Sequence, residues 1–324
     1  MNAPTLFLSS GDLLADRRYE RARALEADGD LAAAADLLAQ ALERAPGFVS
    51  AWFALGEVRA YAGDRAGAVA AFRSALAADP ADRHGAALRL ARLGALAPTA
   101  AMSGAYVRTL FDQYAPHFDR TLVEALGYRG PALLRAAIET ARASRTGPLW
   151  FARMIDLGCG TGLAAAAFRG CCETICGVDL SPAMVEAARR KGLYERLDVN
   201  DMLAFLEQEG EGACDLVLAA DAFVYLGDLA PICRAAARAL APAGLFGFTV
   251  ETAGAGVVLG EKLRYAHGAD HVRAALARAG LDLLVLDPAS TRTESGAAVP
   301  GLVVVAARAG IPPLRGGIKL WSCR

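Results

Sequence analysis

Two hydrophobic patterns divide the chain. From the start to about residue 98, small apolar residues recur at helical spacing with polar residues between them. Beyond about residue 150, short and nearly continuous apolar runs alternate with amphipathic stretches. Runs of this length are typical of strands that are buried on both faces of a sheet. We therefore predict a helical N-terminal region followed by an α/β region.

The alternation also predicts how the α/β region is arranged. The predicted strands are 152–158, 174–180, 196–201, 214–221, 244–252, 281–288 and 301–308. The predicted helices between them are 162–169, 182–191, 202–209, 227–240 and 267–279. Such alternation favours a doubly wound, Rossmann-like sheet. Since no helix separates the last two strands, we expect six parallel strands and a reversed seventh.

The N-terminal region contains a repeat with a period of 34 residues. Gly29 matches Gly63, and the two copies end at Pro46 and Pro80. Alanines at matching offsets let antiparallel helices approach closely, the glycines turn the chain, and the prolines end each second helix. This pattern resembles the tetratricopeptide repeat (TPR). The amphipathic pattern of residues 81–96 predicts one more helix.

Two and a half repeats are fewer than the roughly three that an independent solenoid needs. We therefore expect them to lean on the domain that follows, or to pack on themselves or on a second copy of the chain. They could bind a protein partner, or only pack or dimerise, and the sequence leaves both functions open.

Composition and charge exclude several classes of protein. The chain has 324 residues, of which 55% are hydrophobic and 21% charged, so it is not intrinsically disordered. Its 34 basic and 35 acidic residues leave a formal net charge of −1, which disfavours nucleic acid as a partner. No apolar run reaches the ~20 residues of a membrane span, and no signal peptide is evident.

Seven cysteines at irregular spacing favour a reducing compartment, and we expect a cytoplasmic protein. Arginine supplies nearly all of the positive charge and alanine is abundant, which indicates a GC-rich bacterial gene.

The first predicted strand of the sheet ends in a glycine-rich turn, MIDLGCGTGLAAAAF. Gly158, Gly160 and Gly162 permit a tight turn and a close approach of a ligand to the backbone. A dinucleotide-binding fold needs GxGxxG, but Leu163 occupies the third glycine position. A nicotinamide oxidoreductase is therefore disfavoured, although it stays open.

Acidic residues follow the strands. Asp156 precedes the glycines, and Asp179 ends the second strand, where an acidic side chain can accept both hydroxyls of a ribose. The alternatives are purely structural, since Asp156 could cap a turn and Asp201 could be an ordinary helix N-cap.

The combination of motifs resembles the class I S-adenosylmethionine (SAM)-dependent methyltransferases. The matching segments are DLGCGTG (156–162), GVDLSPAMVEAAR (177–189), NDM (200–202) and AADAFVY (219–225). With its repeats, FDQYAPHFD (111–119) and RYAH (264–267), the chain is similar to bacterial TPR-containing methyltransferases.

The resemblance implies SAM as the cofactor and assigns residues to it. The methionine part is assigned to Asp156 and to the backbone of Gly158, Cys159, Gly160 and Gly162. The adenosine part is assigned to Asp179 for the ribose, Leu180 and Met184 for the adenine slot, Asp201 for the adenine amino group and Met202 beside the ring. Asp221 and Tyr225 are expected to border the transferring methyl, and Tyr114 to lie in a helical lid at 105–143.

Catalytic residues are less clearly indicated. Tyr225 and His267 are candidates for acid–base catalysis, with Glu251 as a further base. His267 and His271 would lie four residues apart on a helix, but the motif of a zinc site is incomplete, so we expect no metal. The acceptor is expected to be a small molecule or a protein side chain, because no NPPY-like segment of the kind that indicates DNA base methylation is present.

Three regions are thus expected: TPR-like helices over 1–98, a methyltransferase domain over 99–308, and a flexible tail over 309–324. The alternative function is a catalytically weak, methyltransferase-like TPR scaffold.

Overall fold

The computed structural model describes residues 6–143 and 149–309. Its N-terminal part is a stack of antiparallel helices. They are α1 (Leu13–Ala27), α2 (Leu31–Arg44), α3 (Val49–Tyr61), α4 (Arg65–Ala78) and α5 (Ala86–Arg92). Gly29 and Gly63 turn the chain within each copy of the repeat at φ +84° and +81°. Asp30 and Asp64 then cap α2 and α4 by accepting backbone N–H bonds.

A second helical segment connects the repeats to the sheet. It comprises α6 (Gly104–Tyr114), a 3-10 turn (Ala115–His117), a π-helical turn (Arg120–Ala125) and α7 (Gly130–Ala143). This segment occupies the region that the sequence predicts as a lid.

The C-terminal part is a twisted α/β sheet. The strands of its main path are β1 (Phe151–Leu157), β2 (Cys172–Asp179), β3 (Arg196–Val199), β4 (Cys214–Ala219), β5 (Leu240–Glu251), β8 (Leu281–Ala289) and β11 (Gly301–Arg308). The helices between them are α8 (Leu163–Phe168), α9 (Pro182–Arg190), α10 (Met202–Gln208), α11 (Ala230–Ala239) and α12 (Ala269–Arg278).

The strand order is β3-β2-β1-β4-β5-β11-β8. Neighbours pair in parallel from β3 to β5, whereas β11 pairs antiparallel with both β5 and β8. The predicted fold class, with six strands in one direction and a reversed seventh, is confirmed. The carboxyl ends of β1, β2 and β4 therefore lie along one edge, next to the switch point of the strand order, where such sheets bind ligands.

Short elements after β5 differ from the prediction. The strands β6 (Val257–Leu259) and β7 (Tyr265–His267), and the small hairpin of β9 (Thr293–Glu294) and β10 (Ala297–Ala298), are too short to give a periodic signal. Because His267 belongs to β7 and α12 begins only at Ala269, the prediction that His267 and His271 share one helix is wrong.

The repeats do not only pack on themselves. Ala87 and Leu88 of α5 form one buried cluster with Ala101 and Leu263, so the last repeat helix packs against the sheet region. The Arg92 guanidinium donates to the Glu261 carbonyl oxygen at 2.8 Å, across the same contact. These contacts agree with the expectation that the repeats lean on the domain that follows them.

Among the described residues, no helix combines the length and the apolar character needed to cross a membrane. The predicted tail at 309–324 lies outside the described residues apart from position 309.

The packing of the segment that follows the repeats against the sheet region can be tested at Gly227. A Cβ there would lie 2.3 Å from the Thr99 carbonyl oxygen, which belongs to the segment that follows the repeats. We expect Gly227→Ala to lower the free energy of unfolding by ~1–3 kcal/mol, because the backbone of that segment must shift. Urea denaturation measures the change. Gly170→Ala is the matched control, since nothing lies within 4 Å of its added methyl group. Equal stability of the two variants would contradict the close packing.

Candidate functional site

The turn from β1 into α8 is built from glycines in left-handed conformations. Gly158, Gly160 and Gly162 have φ values of +64°, +52° and +90°, which L-residues with a side chain rarely adopt. A Cβ on Gly158 would also lie 2.6 Å from the Ala222 Cβ, after β4. The glycines therefore let the loop approach the neighbouring strand end and leave its cavity face free of side chains.

The Asp179 carboxylate holds this loop from the end of β2. Its Oδ2 accepts from the Gly160 N–H and its Oδ1 from the Ser181 N–H, both at 2.9 Å. Burial raises the pKa of Asp179. One carboxylate thus joins the glycine loop to the start of α9, where the Ser181 hydroxyl oxygen caps the helix.

Asp156 is nearly fully buried beside it. The Tyr194 hydroxyl donates to Asp156 Oδ2 at 2.8 Å. Burial, reinforced by the nearby Asp179, raises the pKa of Asp156 to about 7, although the hydrogen bond from Tyr194 acts in the opposite direction.

Tyr194 lies between α9 and β3 and was not predicted as a site residue. Its ring packs where a Cβ on Gly162 or Gly177 would lie, at 3.1 Å and 2.7 Å. No sequence motif identifies it, because its partner Asp156 is 38 positions away along the chain.

Asp201 caps α10 with Oδ1, which accepts from the Leu203 and Ala204 N–H groups at 2.9 and 3.1 Å. Asp201 is therefore the helix N-cap that the structural alternative predicts, and Oδ1 is the capping oxygen. The same residue also lines the cavity described below, next to Leu180 and Met202, so capping and ligand binding are compatible.

Asp221 follows β4 in a strained conformation, with φ at +54°. Its Oδ1 accepts from the Thr249 hydroxyl at 2.7 Å, and its Oδ2 from the Thr291 hydroxyl at 2.8 Å. The buried Arg292 guanidinium also donates to Oδ2 and pairs with Glu251 as well. These donors from β5 and the β8–β11 connection fix the Asp221 side chain in place.

Hydrogen bonds join the helical lid to the start of α9 and to the glycine loop. Asp112 of α6 accepts from the Ser181 hydroxyl at 2.6 Å, and Asp119 accepts from the Thr161 hydroxyl. Next to Asp112, the Phe111 ring meets the Tyr225 ring edge-on, with centroids 5.3 Å apart. The lid therefore covers the glycine loop with aromatic side chains.

These groups line one cavity of about 790 Å³, within the roughly 300–1,000 Å³ range of ligand pockets. The predicted site residues that line it are Tyr114, Asp156, Gly158, Cys159, Gly160, Asp179, Leu180, Asp201, Met202, Asp221 and Tyr225. Gly162, Met184 and His267 are the predicted site residues outside this lining. Gly162 forms the left-handed turn before α8, and Met184 is fully buried in the core. Cys159 uses its backbone N–H to donate to the Val178 carbonyl oxygen, and burial raises the pKa of its thiol.

His267 is fully buried, and its Nε2 lies 2.9 Å from the Leu226 carbonyl oxygen. Burial lowers the pKa of His267 to about 4, so the ring is neutral near pH 7. A neutral ring whose Nε2–H donates to this carbonyl holds the segment that carries Tyr225 in place. His267 lies outside the cavity lining, so this geometry gives no support to its predicted catalytic role.

The same cavity is also lined by residues that the sequence did not indicate. From the repeats come Arg23, Glu26, Glu57, Tyr61 and Arg89, and from the lid and the sheet come Tyr106, Tyr128, Arg264 and Arg292. Only the packing of the repeats on the sheet brings the first group near the glycine loop.

Two families of protein domains match this chain. A methyltransferase domain family matches residues 155–248, which hold the glycine loop and the acidic strand ends, and a tetratricopeptide repeat family matches residues 15–58. The chain carries a methyltransferase domain. The match to the second family confirms the predicted TPR. The predicted SAM cofactor is confirmed as well, since the methyltransferase domain family uses SAM.

Curated relatives agree on the domain but differ in their names. Human methyltransferase-like protein 27 is 40% identical over 114 residues, which are 33% of this chain and 43% of that protein. A ubiquinone biosynthesis O-methyltransferase of Xanthomonas oryzae is 32% identical over 96 residues, 29% of this chain and 40% of that one. A ribosomal protein L11 methyltransferase of Symbiobacterium thermophilum is 33% identical over 96 residues, 29% of this chain and 30% of that one. The chain thus spans less than half the length of these relatives.

Solved structures of methyltransferases also resemble part of this chain. A SAM-dependent methyltransferase from Mesorhizobium loti covers 53% of this chain and 98% of its own, at 21% identity and TM-score 0.39. A magnesium protoporphyrin IX methyltransferase from Synechocystis, solved with bound SAM, covers 64% and 97%, at 18% identity and TM-score 0.45.

The burial of Asp156 predicts a pH dependence of stability. Because the pKa of Asp156 is raised from 3.8 to about 7 on folding, the folded protein keeps a proton that the unfolded chain releases. This group therefore lowers the free energy of unfolding as the pH rises through that interval.

Tyr194→Phe removes a hydrogen bond that favours the charged carboxylate, so the folded pKa should rise further and the decline should extend above pH 7. Urea denaturation between pH 5 and pH 9 measures this, with Asp156→Asn as the control that lacks the titration. A Tyr194→Phe curve parallel to that of the parent would show that this hydroxyl does not affect Asp156.

Proposed function

We propose that this chain is a SAM-dependent methyltransferase that methylates a small molecule, in the cavity between the glycine loop and the lid. One observation carries the proposal: the Asp156–Gly162 loop and the Asp179 carboxylate face the same cavity at the carboxyl ends of β1 and β2. The domain match supports methyl transfer, whereas the acceptor is inferred from the cavity alone.

The chemistry of the donor set fits SAM. Its sulfonium and amino groups are cationic. The carboxyl groups of the buried Asp156 and the half-buried Asp179 have raised pKa values, so a cation beside them would be favourable. The side-chain-free face of Gly158 and Gly160 gives the methionine part access to the backbone. Asp179 would accept the ribose hydroxyls, while Leu180, Asp201 and Met202 would bind the adenine.

When bound, SAM supplies an activated methyl group on its sulfonium. The protein has to align the acceptor with that methyl group and exclude water. Asp221, fixed by Thr249, Thr291 and Arg292, and Tyr225, packed against Phe111, would form the wall around the methyl group. Closure by the lid would keep this region dry.

The protein offers little base catalysis beside the methyl group. No histidine is found among the described residues that line the cavity. Burial raises the pKa values of Tyr128 and Tyr225, so both keep their protons at neutral pH. We infer that the acceptor is nucleophilic without help from a strong base, as a carboxylate, a phenolate or an amine would be.

The relatives' names leave a small molecule and a protein open as acceptor, since one is a ubiquinone biosynthesis enzyme and another is a ribosomal protein methyltransferase. A small molecule is favoured here because aromatic and aliphatic side chains of the lid, among them Tyr106, Leu110 and Phe111, line part of the cavity. In this proposal the methyltransferase domain comprises 99–308, including the lid at 105–143, and the repeats comprise 1–98.

Cofactor binding can be tested at Asp179. Asp179→Ala should weaken SAM binding by ~2–4 kcal/mol, from ~1.5–3 kcal/mol for each hydrogen bond to a charged group with some overlap. This is roughly a 30- to 1,000-fold rise in Kd. Isothermal calorimetry measures it, and Asp179→Asn should fall between parent and alanine. NAD should not compete. An alanine variant that binds SAM as well as the parent would overturn the ribose assignment.

Binding of SAM should also depend on pH. Since the pKa of Asp156 is about 7 before binding, its proton must leave for the carboxylate to face the cation. Below about pH 6, affinity should therefore fall by up to roughly tenfold per pH unit. Calorimetry between pH 5 and 7 measures this, a range in which the amino group of SAM stays protonated. Asp156→Asn should flatten the profile, and an unchanged slope in that variant would assign the proton to Asp179 instead.

A further inference from the structure

The wall of the cavity opposite the glycine loop comes from the repeats. Arg23 belongs to α1, Glu57 and Tyr61 to α3, and Arg89 to α5. All belong to the first helices of successive helix pairs. Stacked repeats place such helices on one face, which is the binding surface of many repeat proteins. Here that face is turned toward the site of methyl transfer.

The polar groups on this wall are ordered. Glu57 pairs with the Arg89 guanidinium at 2.6 Å and lies 3.7 Å from that of Arg23. The Glu57 side chain is only 13% exposed, whereas those of Arg23 and Arg89 are 27% and 31% exposed. The Arg89 guanidinium also lies over the Phe53 ring, 5.8 Å from its centroid. Hydrogen-bonding groups are thus held in fixed positions on the cavity wall.

The middle of the cavity is apolar and aromatic. Tyr106 and Phe111 of α6 lie between the repeats and Tyr225. Tyr106 packs directly on the repeats, since a Cβ on Gly85 would lie 2.8 Å from its ring. From loop to repeats, the cavity therefore offers carboxylates for a cation, then an aromatic section, then a cluster of two arginines and two glutamates, in which Glu26 pairs with Arg23 at 2.7 Å.

We infer that the repeats form the far end of the acceptor site, and that the acceptor is an elongated small molecule with an aromatic or apolar body and a polar, hydrogen-bonding end. The body lies along Tyr106 and Phe111, and the polar end lies at Glu57 and Arg89. The TPR-like region then recognises substrate within the enzyme. This inference rests on the proposed function, because it places the reacting end of the acceptor beside SAM.

The test uses probes that extend from the cofactor. They are analogues of S-adenosylhomocysteine (SAH) in which nitrogen replaces sulfur and carries either a methyl group or a phenylalkyl arm of increasing length ending in a hydroxyl. Calorimetry on the full chain gives the Kd of SAH, of the methyl analogue and of each armed analogue. Burial of the aromatic arm should tighten binding roughly 10- to 100-fold over the methyl analogue at the best length.

Variants of the wall locate the end of the arm. Arg89→Gln should remove most of this gain and Tyr61→Ala a part of it, and both should leave the Kd of SAH unchanged. Tyr61 is 71% exposed, so its truncation should not disturb folding. Arg44→Gln is the matched control, because Arg44 forms a similar 2.7 Å ion pair with Asp12 in the same repeats but does not line the cavity. It should keep the full gain.

Two failures can be told apart. If SAH binds but no armed analogue binds more tightly than the methyl analogue, or if the gain survives in both wall variants, the repeats do not form the acceptor site. If neither SAH nor the methyl analogue binds, the proposed function itself is overturned.

Discussion

The site depends on one half-buried carboxylate. Asp179, at the end of β2, accepts from the Gly160 N–H in the glycine loop and from the Ser181 N–H at the start of α9. The three left-handed glycines of the loop have little conformational restriction of their own, so such ties are needed to give the loop one shape. Ser181 in turn donates to Asp112 of the lid. Asp179 therefore connects the loop directly with the helix, and through Ser181 with the lid, and it also faces the cofactor end of the cavity.

Packing of the repeats on the sheet region determines the other end. Leu88 and Ala101 are buried against Leu263, and the Tyr265 hydroxyl donates to the Pro98 carbonyl oxygen. These contacts bury apolar surface that two and a half repeats would otherwise expose. They also explain why the repeats lie close to the glycine loop in space, although they are far from it along the chain. The same packing thus stabilises an incomplete solenoid and completes a cavity.

Much of this could be predicted from the sequence, for identifiable reasons. Apolar runs and helical periodicity are local signals, and they located the main strands, the reversed last strand and the repeats. The DLGCGTG loop and Asp179 are recognisable because their spacing along the chain is fixed by the turn they make.

Tyr194 and Arg292 could not be found this way, since each acts on a carboxylate from a distant segment. His267 was misassigned because a three-residue strand gives no periodic signal and its burial is not visible in the sequence. The repeat residues of the cavity wall were missed because only tertiary packing brings them there.

The most direct test of the account is a crystal structure of the full chain with bound SAH. The account predicts the ribose hydroxyls on Asp179, the amino acid end against Gly158 and Gly160, and the sulfur facing an open space that continues past Tyr225 to Arg89. SAH bound elsewhere, or a sulfur atom separated from the repeats by a closed wall, would contradict it.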